Sequence, residues 1–574
     1  MSKTASRLRL LAVAAVVVLV TAAIGATQAG SASQGPALRG PTFTEAAAFD
    51  VSKPLRQLAL AAKPSTKAGG EEVRPERGAL TADLGFAGDA AVQSTAGALA
   101  IPAPSASFEG LSNQDNFDVF GFRVTPPDPV GDVGPNHYVE MINIVFAVFD
   151  KTGNDLLGPL DIGTLWSDFA VPDCTDPSGD PIVLYDQLAD RWILSQFTTS
   201  GLDDPSKPFW NCVAVSTTGD PTGSYYRYAF QTENFQFFPD YPKYGVWTDS
   251  YVLTTREFGP TVEYGIGVYA LEKNKMINGQ PNARAVSFFL DGNDPAVLPL
   301  VGDGLLPADI DGQAKPRADA AIPLVGTQDD GGPYGATFDA LNIWDVTVKW
   351  RAVPSASLTL RAQLPTAPFD SIFPCAPTSR DCLPQPGIKN KHEYLDILSY
   401  RQRPTWRLAY RNFGTYEALV TNQSVEALPE TAGVRWYEVR RTATGYGIFQ
   451  QGTFAPNDGV NRWMGSVAMD KKGDIAAGYS VVNATDVFPG IRYTGRLAGD
   501  PVGQMTLGEG VIVNGSGVQT TTNSRWGDYT SLNVDPVDDC TFWYVNEYYA
   551  AAGAASASNG WQTRIASFKL PGCA

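Results

Sequence analysis

The side chains best placed for chemistry in this sequence stand just ahead of short apolar strands, and they are carboxylates, arginines and aromatics. They are Asp132, Asp180, Asp240 with Tyr241 and Lys243, Asp319, His392 with Glu393, Arg462 with Trp463, and Arg525 with Trp526 and Asp528. Carboxylates accept hydrogen bonds from sugar hydroxyls, and a pair of them ~5–9.5 Å apart can perform glycoside chemistry. Arginines hold a carboxylate bidentately. Tyr241, Trp463 and Trp526 add flat faces for stacking. The competing reading is structural, because a polar residue that recurs with a repeat also serves to tie one repeat to the next.

Supply excludes other chemistries. Two histidines in 574 residues leave little room for histidine-rich metal sites or histidine-dependent acid–base schemes. One of them, His137, stands at the start of a strand and reads as a structural histidine. No G-x-S-x-G nucleophile elbow occurs. The glycines of residues 432–449 mark a hairpin, because no helix follows to make a phosphate loop. "DGNDP" at 291–295 and "DIDG" at 309–312 offer clustered oxygens that calcium could use. Neither completes a calcium loop, and solvated turns are the simpler reading.

These residues need elements that bring them together. From about Leu111 onward, short aromatic and β-branched runs alternate with Gly, Pro, Asp and Asn turns, the signature of an all-β chain. "SLNVDPVDDCTFWYVNEY" aligns with "PIVLYDQLADRWILSQF", "SVAMDKKGDIAAGYSV" and "DILSYRQRPTWRLAYRNF". Each is a strand, a turn and a second strand. Counting the more divergent copies, units start near Asp128, Asp180, Asp240, Arg317, His392, Arg462 and Arg525. Units of ~50–80 residues suit four-stranded antiparallel blades, and the expected fold is a seven-bladed β-propeller. Six or eight blades, or tandem sandwiches, are the alternatives. "WQTRIASFKLPGCA" reads as a last outer strand, and "NFDVFGFRVTPPDPV" as the strand that completes the ring. The starts of the innermost strands would then share one rim of a central channel.

The expected domains are a signal peptide over 1–29, an Ala/Gly/Pro/Ser-rich flexible linker or pro-segment over 30–111, and the propeller over 112–574. Lys3, Arg7 and Arg9 precede an apolar run from Leu10 to Ile24 and the small residues "GATQAGSAS", the three-part layout of an export signal. The run is shorter than the ~20 residues that span a bilayer, and no later stretch replaces it. Export suits the six cysteines, which pair by proximity as Cys174–Cys212, Cys375–Cys382 and Cys540–Cys573. A net charge of −17 argues against nucleic acid as a partner.

With "DPVGDVGPNHYVEMINIVFAVFDKTG", "SGDPIVLYDQLADRWILSQF", "DYPKYGVWTDSYVLTT" and "RWGDYTSLNVDP" in view, the chain resembles a group of secreted bacterial propeller proteins. The resemblance covers residues 112–570 and implies an exported propeller, joined in some relatives to adhesive modules. It implies no reaction. The likeness to sialidase-type propellers is looser, since their S-x-D-x-G-x-T-W box is missing. The leading expectation is a secreted protein that binds a polar extracellular ligand at the channel mouth, a polysaccharide or a surface protein. One alternative is a glycoside hydrolase or polysaccharide lyase using rim carboxylates, with Arg462 or Arg525 positioning an acidic sugar. Another is a non-catalytic envelope or matrix scaffold.

Overall fold

The computed structural model describes residues 38–62, 86, 88–232, 236–259, 263–317, 319–375, 381–397, 402–521 and 524–573. The expected signal peptide lies outside these residues. The described chain is mostly β, and among its residues seven consecutive antiparallel meanders follow one another. Sheet 1 runs Val130–Val133, His137–Ile142, Val145–Asp150 and Asp155–Asp161. Sheet 2 begins with Ile182–Asp186, sheet 3 with Phe238–Val246, sheet 4 with Leu306–Ile310 and sheet 5 with Thr405–Asn412. Sheet 6 begins with Asn461–Met469 and sheet 7 with Ser531–Val534. The turns are those the sequence advertises. In "DKTG" Asp150 accepts the Thr152 N–H at 2.8 Å, and in "DKKG" Asp470 accepts that of Lys472 at 2.8 Å, the side-chain mimicry that makes Asp a turn residue.

The first strands of the seven sheets neighbour one another in a closed circuit, sheet 7 returning to sheet 1. Each junction is closed by a specific bond. Asp132 accepts the Tyr185 N–H at 2.7 Å, Asp180 that of Tyr241 at 3.1 Å, and Asp309 that of Val246 at 3.0 Å. Sheets 4 and 5 join directly, Ala308 to Ile310 running parallel to Leu408 to Tyr410. Thr405 donates to the Gly465 carbonyl at 2.9 Å. Ser466 accepts from Leu532 at 3.0 Å, and Ser531 from Gly131 at 3.3 Å. Where an inner strand's free edge meets no further strand, its N–H groups must find side-chain acceptors.

Within the circuit, Arg407 of sheet 5 donates to Asp309 at 2.8 Å and to Asp311 at 2.7 Å, and reaches the Leu532 carbonyl of sheet 7 at 3.4 Å. All three charged side chains are buried. "DIDG" is therefore neither a solvated turn nor a free oxygen cluster, because an arginine has taken both carboxylates. The apolar core fills the spaces between sheets. One cluster draws on sheets 1 to 5 and another packs Trp463 of sheet 6 against Trp526 ahead of sheet 7.

Several expectations shift. The first strand of sheet 4 lies ahead of Arg317, which follows it, and that of sheet 5 starts at Thr405 rather than near His392. Both units had been placed one strand out of step. Sheet 7 is completed by Ala106–Ser112, paired with Trp561–Lys569. The segment expected to supply that strand instead forms the helix Asn113–Phe120, opened by a Ser112–Asp115 capping box. Trp561–Lys569 is thus the third strand, not the outermost. The described parts of the expected linker pair with sheet edges: Leu38–Glu45 with sheet 3, Ala48–Val51 with sheet 2 and Val92–Gln93 with sheet 5. The boundary drawn after residue 111 falls inside the strand Ala106–Ser112. Its Ala, Gly and Ser mask it, since an edge strand needs few large side chains. The three disulfides form as paired by proximity.

Replacing Arg407 tests the circuit. Arg407→Met leaves Asp309 and Asp311 buried without a cation, and is expected to cost about 3–5 kcal/mol. The stranded carboxyls would hold folded-state pKa values above their unfolded ones, so the folded state keeps protons that the unfolded chain releases. The deficit should therefore grow from pH 5 to pH 8, measured by urea denaturation; a deficit that shrinks with rising pH would contradict this account.

Candidate functional site

The sequence places an X-Pro pair just ahead of several inner strands, Asp128-Pro129, Asp180-Pro181 and Arg403-Pro404, and a fourth, Tyr241-Pro242, at the register shift inside Phe238–Val246. Asp128, Asp180, Tyr241 and Gln402 take left-handed backbone angles there, with φ of 48°, 42°, 51° and 45°. For a residue with a Cβ that conformation costs about 1–2 kcal/mol. The bend turns each of these starts toward a common region, and their polar side chains meet there.

At the centre Lys243 lies with its Nζ 3.1 Å from the ring centroid of Tyr241 and 3.4 Å from that of Tyr529. The two rings are 5.3 Å apart. The Arg403 guanidinium lies 3.8 Å from the Tyr241 ring. Such cation–ring contacts contribute ~0.5–2 kcal/mol each. Around them stand four carboxylates. Asp180 accepts from the Tyr241 N–H and, at 3.0 Å, from the Tyr529 hydroxyl. Asp240 accepts from the same N–H at 2.9 Å. Asp128 accepts from the Asp528 N–H at 2.6 Å and from Asn143 at 2.7 Å. Asp528 accepts from Arg525 at 2.7 Å and has Arg403 at 3.8 Å. Asp128, Tyr241, Lys243 and Arg403 are buried, whereas Asp180, Asp240 and Asp528 are partly exposed. These three are the carboxylates that solvent, or a ligand, meets first.

The electrostatics follow from crowding charge into a poorly solvated space. Burial, then the neighbouring Asp240, pushes the Asp180 carboxyl well above the usual carboxylate range. Burial also raises Asp240, against the pull of Arg256. The Lys243 amine falls well below its usual value, chiefly by burial, with Asp180 opposing the fall and Arg403 adding to it. Glu547, buried beside the Gly527 N–H, is raised well above normal by desolvation. The arrangement can hold protonated carboxyls beside an ionised one near neutral pH, the condition for a general acid next to a base. It can equally present donors and acceptors to a polyhydroxylated ligand.

Of the expected rim residues, the structure brings together Asp180, Asp240, Tyr241, Lys243, Arg525 and Asp528. The others lie elsewhere. Asp132 is buried in the junction between sheets 1 and 2, its carboxyl raised to about 8 by desolvation. Arg462 is buried between Asp458, at 2.7 Å, and Glu509, at 2.7 Å. Trp463 and Trp526 offer no stacking platform: both are fully buried, their rings 5.2 Å apart. His392 is on the surface, its ring 3.0 Å from Asp381, in the short 3₁₀ turn Lys391–Glu393. Asp319 is exposed in the turn after the first strand of sheet 4. His137 carries a buried Nδ1 with no hydrogen-bond partner. Asp291 and Asp294 cap their own turns through the N–H groups of Asn293 and Ala296. Sequence reading missed Asp128, Arg403 and Tyr529; the repeated X-Pro pair was the signal for the first two.

Asp180→Asn keeps the acceptor for Tyr241 and removes the proton. Because the folded pKa of Asp180 lies above its unfolded value, its presence lowers stability as pH rises through that window. Wild-type stability should therefore fall between pH 5 and pH 8 more steeply than that of the variant, by up to about 1.4 kcal/mol per pH unit. Denaturation midpoints across that range decide it, and equal slopes would mean that Asp180 ionises freely.

No family model matches the chain, and no curated protein matches it either. Solved structures do. An α-L-arabinanase of Penicillium chrysogenum, complexed with arabinobiose, is 11% identical with a TM-score of 0.33, over 71% of this chain and 96% of that one. A thermostable family-43 glycoside hydrolase is 10% identical with a TM-score of 0.29, over 71% and 98%. An exo-β-1,3-galactanase from Clostridium thermocellum is 10% identical with a TM-score of 0.28, over 82% and 97%. Likeness at this level transfers neither activity nor substrate, and the chain is defined here by its own geometry.

Proposed function

We propose that this chain is an exported seven-bladed β-propeller that binds a hydroxyl-rich polysaccharide at one mouth of its central channel. The closed circuit of inner strands supports the blade count. Three disulfides, and no described helix long and apolar enough to cross a membrane, suit a life outside the cell. The observation that carries the ligand reading is the convergence of Asp180, Asp240 and Asp528, from three different sheets, around Tyr241, Lys243 and Tyr529. Partly exposed carboxylates fixed by bonds to the scaffold present preorganised acceptors, and hydroxyl groups are the donors they fit.

A second reading rests on the raised carboxyls of Asp180 and Asp240. A protonated carboxyl beside an ionised one serves glycoside cleavage, and the same mouth would then be an active site.

Titration calorimetry against a panel of neutral and uronic-acid polysaccharides, with a reducing-sugar assay on the same panel, separates the readings. Binding without release of reducing ends, weakened about tenfold or more in Asp528→Asn, is the expected result. Turnover abolished by Asp528→Asn or Asp240→Asn, with folding intact, would establish the hydrolase instead. Neither binding nor cleavage would leave a scaffold.

A further inference from the structure

Sheets 4 and 5 enclose a second polar cleft, of about 430 Å³, within the ~300–1,000 Å³ typical of small-ligand sites. Its lining shares no residue with the cluster around Lys243. Arg317 and Asp319 come from the turn that follows the first strand of sheet 4. Asp345 and Arg361 stand on its strands Ala340–Lys349 and Ser355–Pro365. Arg441 and Tyr446 flank the hairpin between Thr431–Thr442 and Gly445–Phe454 of sheet 5.

The charge balance here differs from that at the mouth. Arg525 and Arg462, the arginines that the sequence offered for an acidic sugar, are each held between two carboxylates. In the cleft, Arg317 is exposed and forms no salt bridge among the described residues. Arg361, 63% exposed, has only Asp345 at 3.9 Å, a separation at which a solvated pair contributes little. Arg441 is 8% exposed. It bonds Glu417, donates to the Ala321 carbonyl and the Tyr446 hydroxyl at 2.9 Å each, and leaves its Nη2 without a hydrogen-bond partner. Tyr446 in turn donates to Asp345 at 2.7 Å, which fixes the floor of the cleft.

We propose that this cleft binds a hydroxylated monocarboxylate, a uronic-acid unit of a saccharide, with its carboxylate between Arg317 and Arg361. Two arginines lining one cleft, neither neutralised by a close carboxylate, suit a planar carboxylate, which accepts paired N–H donors. Asp319 and Asp345 supply acceptors for ring hydroxyls, and the partly exposed Tyr446 ring offers a face for the sugar. The same two aspartates favour a ligand that carries hydroxyl donors over a fully ionised anion, which offers them only repulsion. The site is independent of the mouth.

The test is calorimetric titration of the full chain with methyl glucuronoside, methyl glucoside and inorganic phosphate. Saturable binding of the glucuronoside alone is expected, weakened about tenfold in Arg317→Gln and in Arg361→Gln and weakened by added salt. Both replaced side chains are exposed, so an unchanged melting temperature is expected beside the lost binding. The proposal is overturned if the glucoside binds as well as the glucuronoside, or if phosphate binds and the glucuronoside does not. It is also overturned if no probe binds, or if both variants bind as the wild type does.

Discussion

The constraint on which the molecule turns is the burial of Arg407 against Asp309 and Asp311 inside the circuit of first strands. A guanidinium and two carboxylates removed from water recover their solvation only when the geometry is satisfied in every direction. The planar fork of arginine makes that requirement directional. It draws its acceptors from sheet 4 and sheet 7 while anchored in sheet 5, so the three sheets have one compatible arrangement. The other junctions follow the same logic at lower charge. Each supplies an acceptor or donor short enough to reach the neighbouring backbone without spreading the strands: Asp132, Asp180, Thr405, Ser466 or Ser531. The structural reading of recurring polar residues thus holds for the interior of the ring, where an unpaired strand edge is what they satisfy.

The cluster around Lys243 differs because more charge gathers there than the backbone can use. Asp180 belongs to both systems, closing the junction between sheets 2 and 3 while facing Asp240 and Lys243. Its carboxyl is raised first by burial and then by the neighbouring carboxylate of Asp240, with Lys243 pulling the other way. Lys243 is depressed for the complementary reason, since aromatic faces and a single carbonyl replace its water. A folded protein that keeps such groups close together stores unfavourable electrostatic energy. A ligand that supplies hydroxyls, or a reaction that moves a proton, would relieve it, whereas the paired Arg407 offers nothing to relieve.

How far this was legible in the sequence depended on whether the register of a unit could be read. Sheets 1, 2, 3, 6 and 7 have first hairpins with compact Asp, Gly or Pro turns, such as "YDQLADRW" and "MDKKGDI", and there the expected strands are the observed ones. In sheet 4 the link between the first and second strands is long and irregular, and in sheet 5 a two-stranded ribbon built from Asp381–Leu383 and Leu395–Asp396 precedes the first strand. The ribbon carries strand-like residues outside the meander, and the polar link sets the short first strand of sheet 4 apart from the strands that follow. Each feature displaced its unit by one strand, and this is why Asp319 and His392 were expected in a cluster they do not reach. Composition cannot distinguish Trp526 as a platform from Trp526 as core, because both uses favour an aromatic beside a glycine. Only the packing of Trp463 on its far side decides. The closing strand was hidden for the opposite reason, its residues being too small and polar to announce a strand.

That closing strand ties the candidate site to the way the ring shuts. Ala106–Ser112 comes from the N-terminal segment and completes a sheet whose other strands lie at the C-terminus, so the seam joins parts of the chain more than 400 residues apart. Closing so long a loop carries an entropic cost that grows only slowly with length, and a few local bonds can therefore hold it. The disulfide from Cys540 to Cys573 fixes the turn of sheet 7 to the chain end and leaves less to be ordered when the strand docks. The junction between sheets 7 and 1 is also where Asp528 donates its N–H to Asp128 and where Ser531 accepts from Gly131. Two of the four carboxylates of the cluster, Asp128 and Asp528, therefore stand on opposite sides of the seam. Their spacing is set by closure of the circuit and not by either sheet alone, so the acceptor array is complete only once Ala106–Ser112 has joined sheet 7.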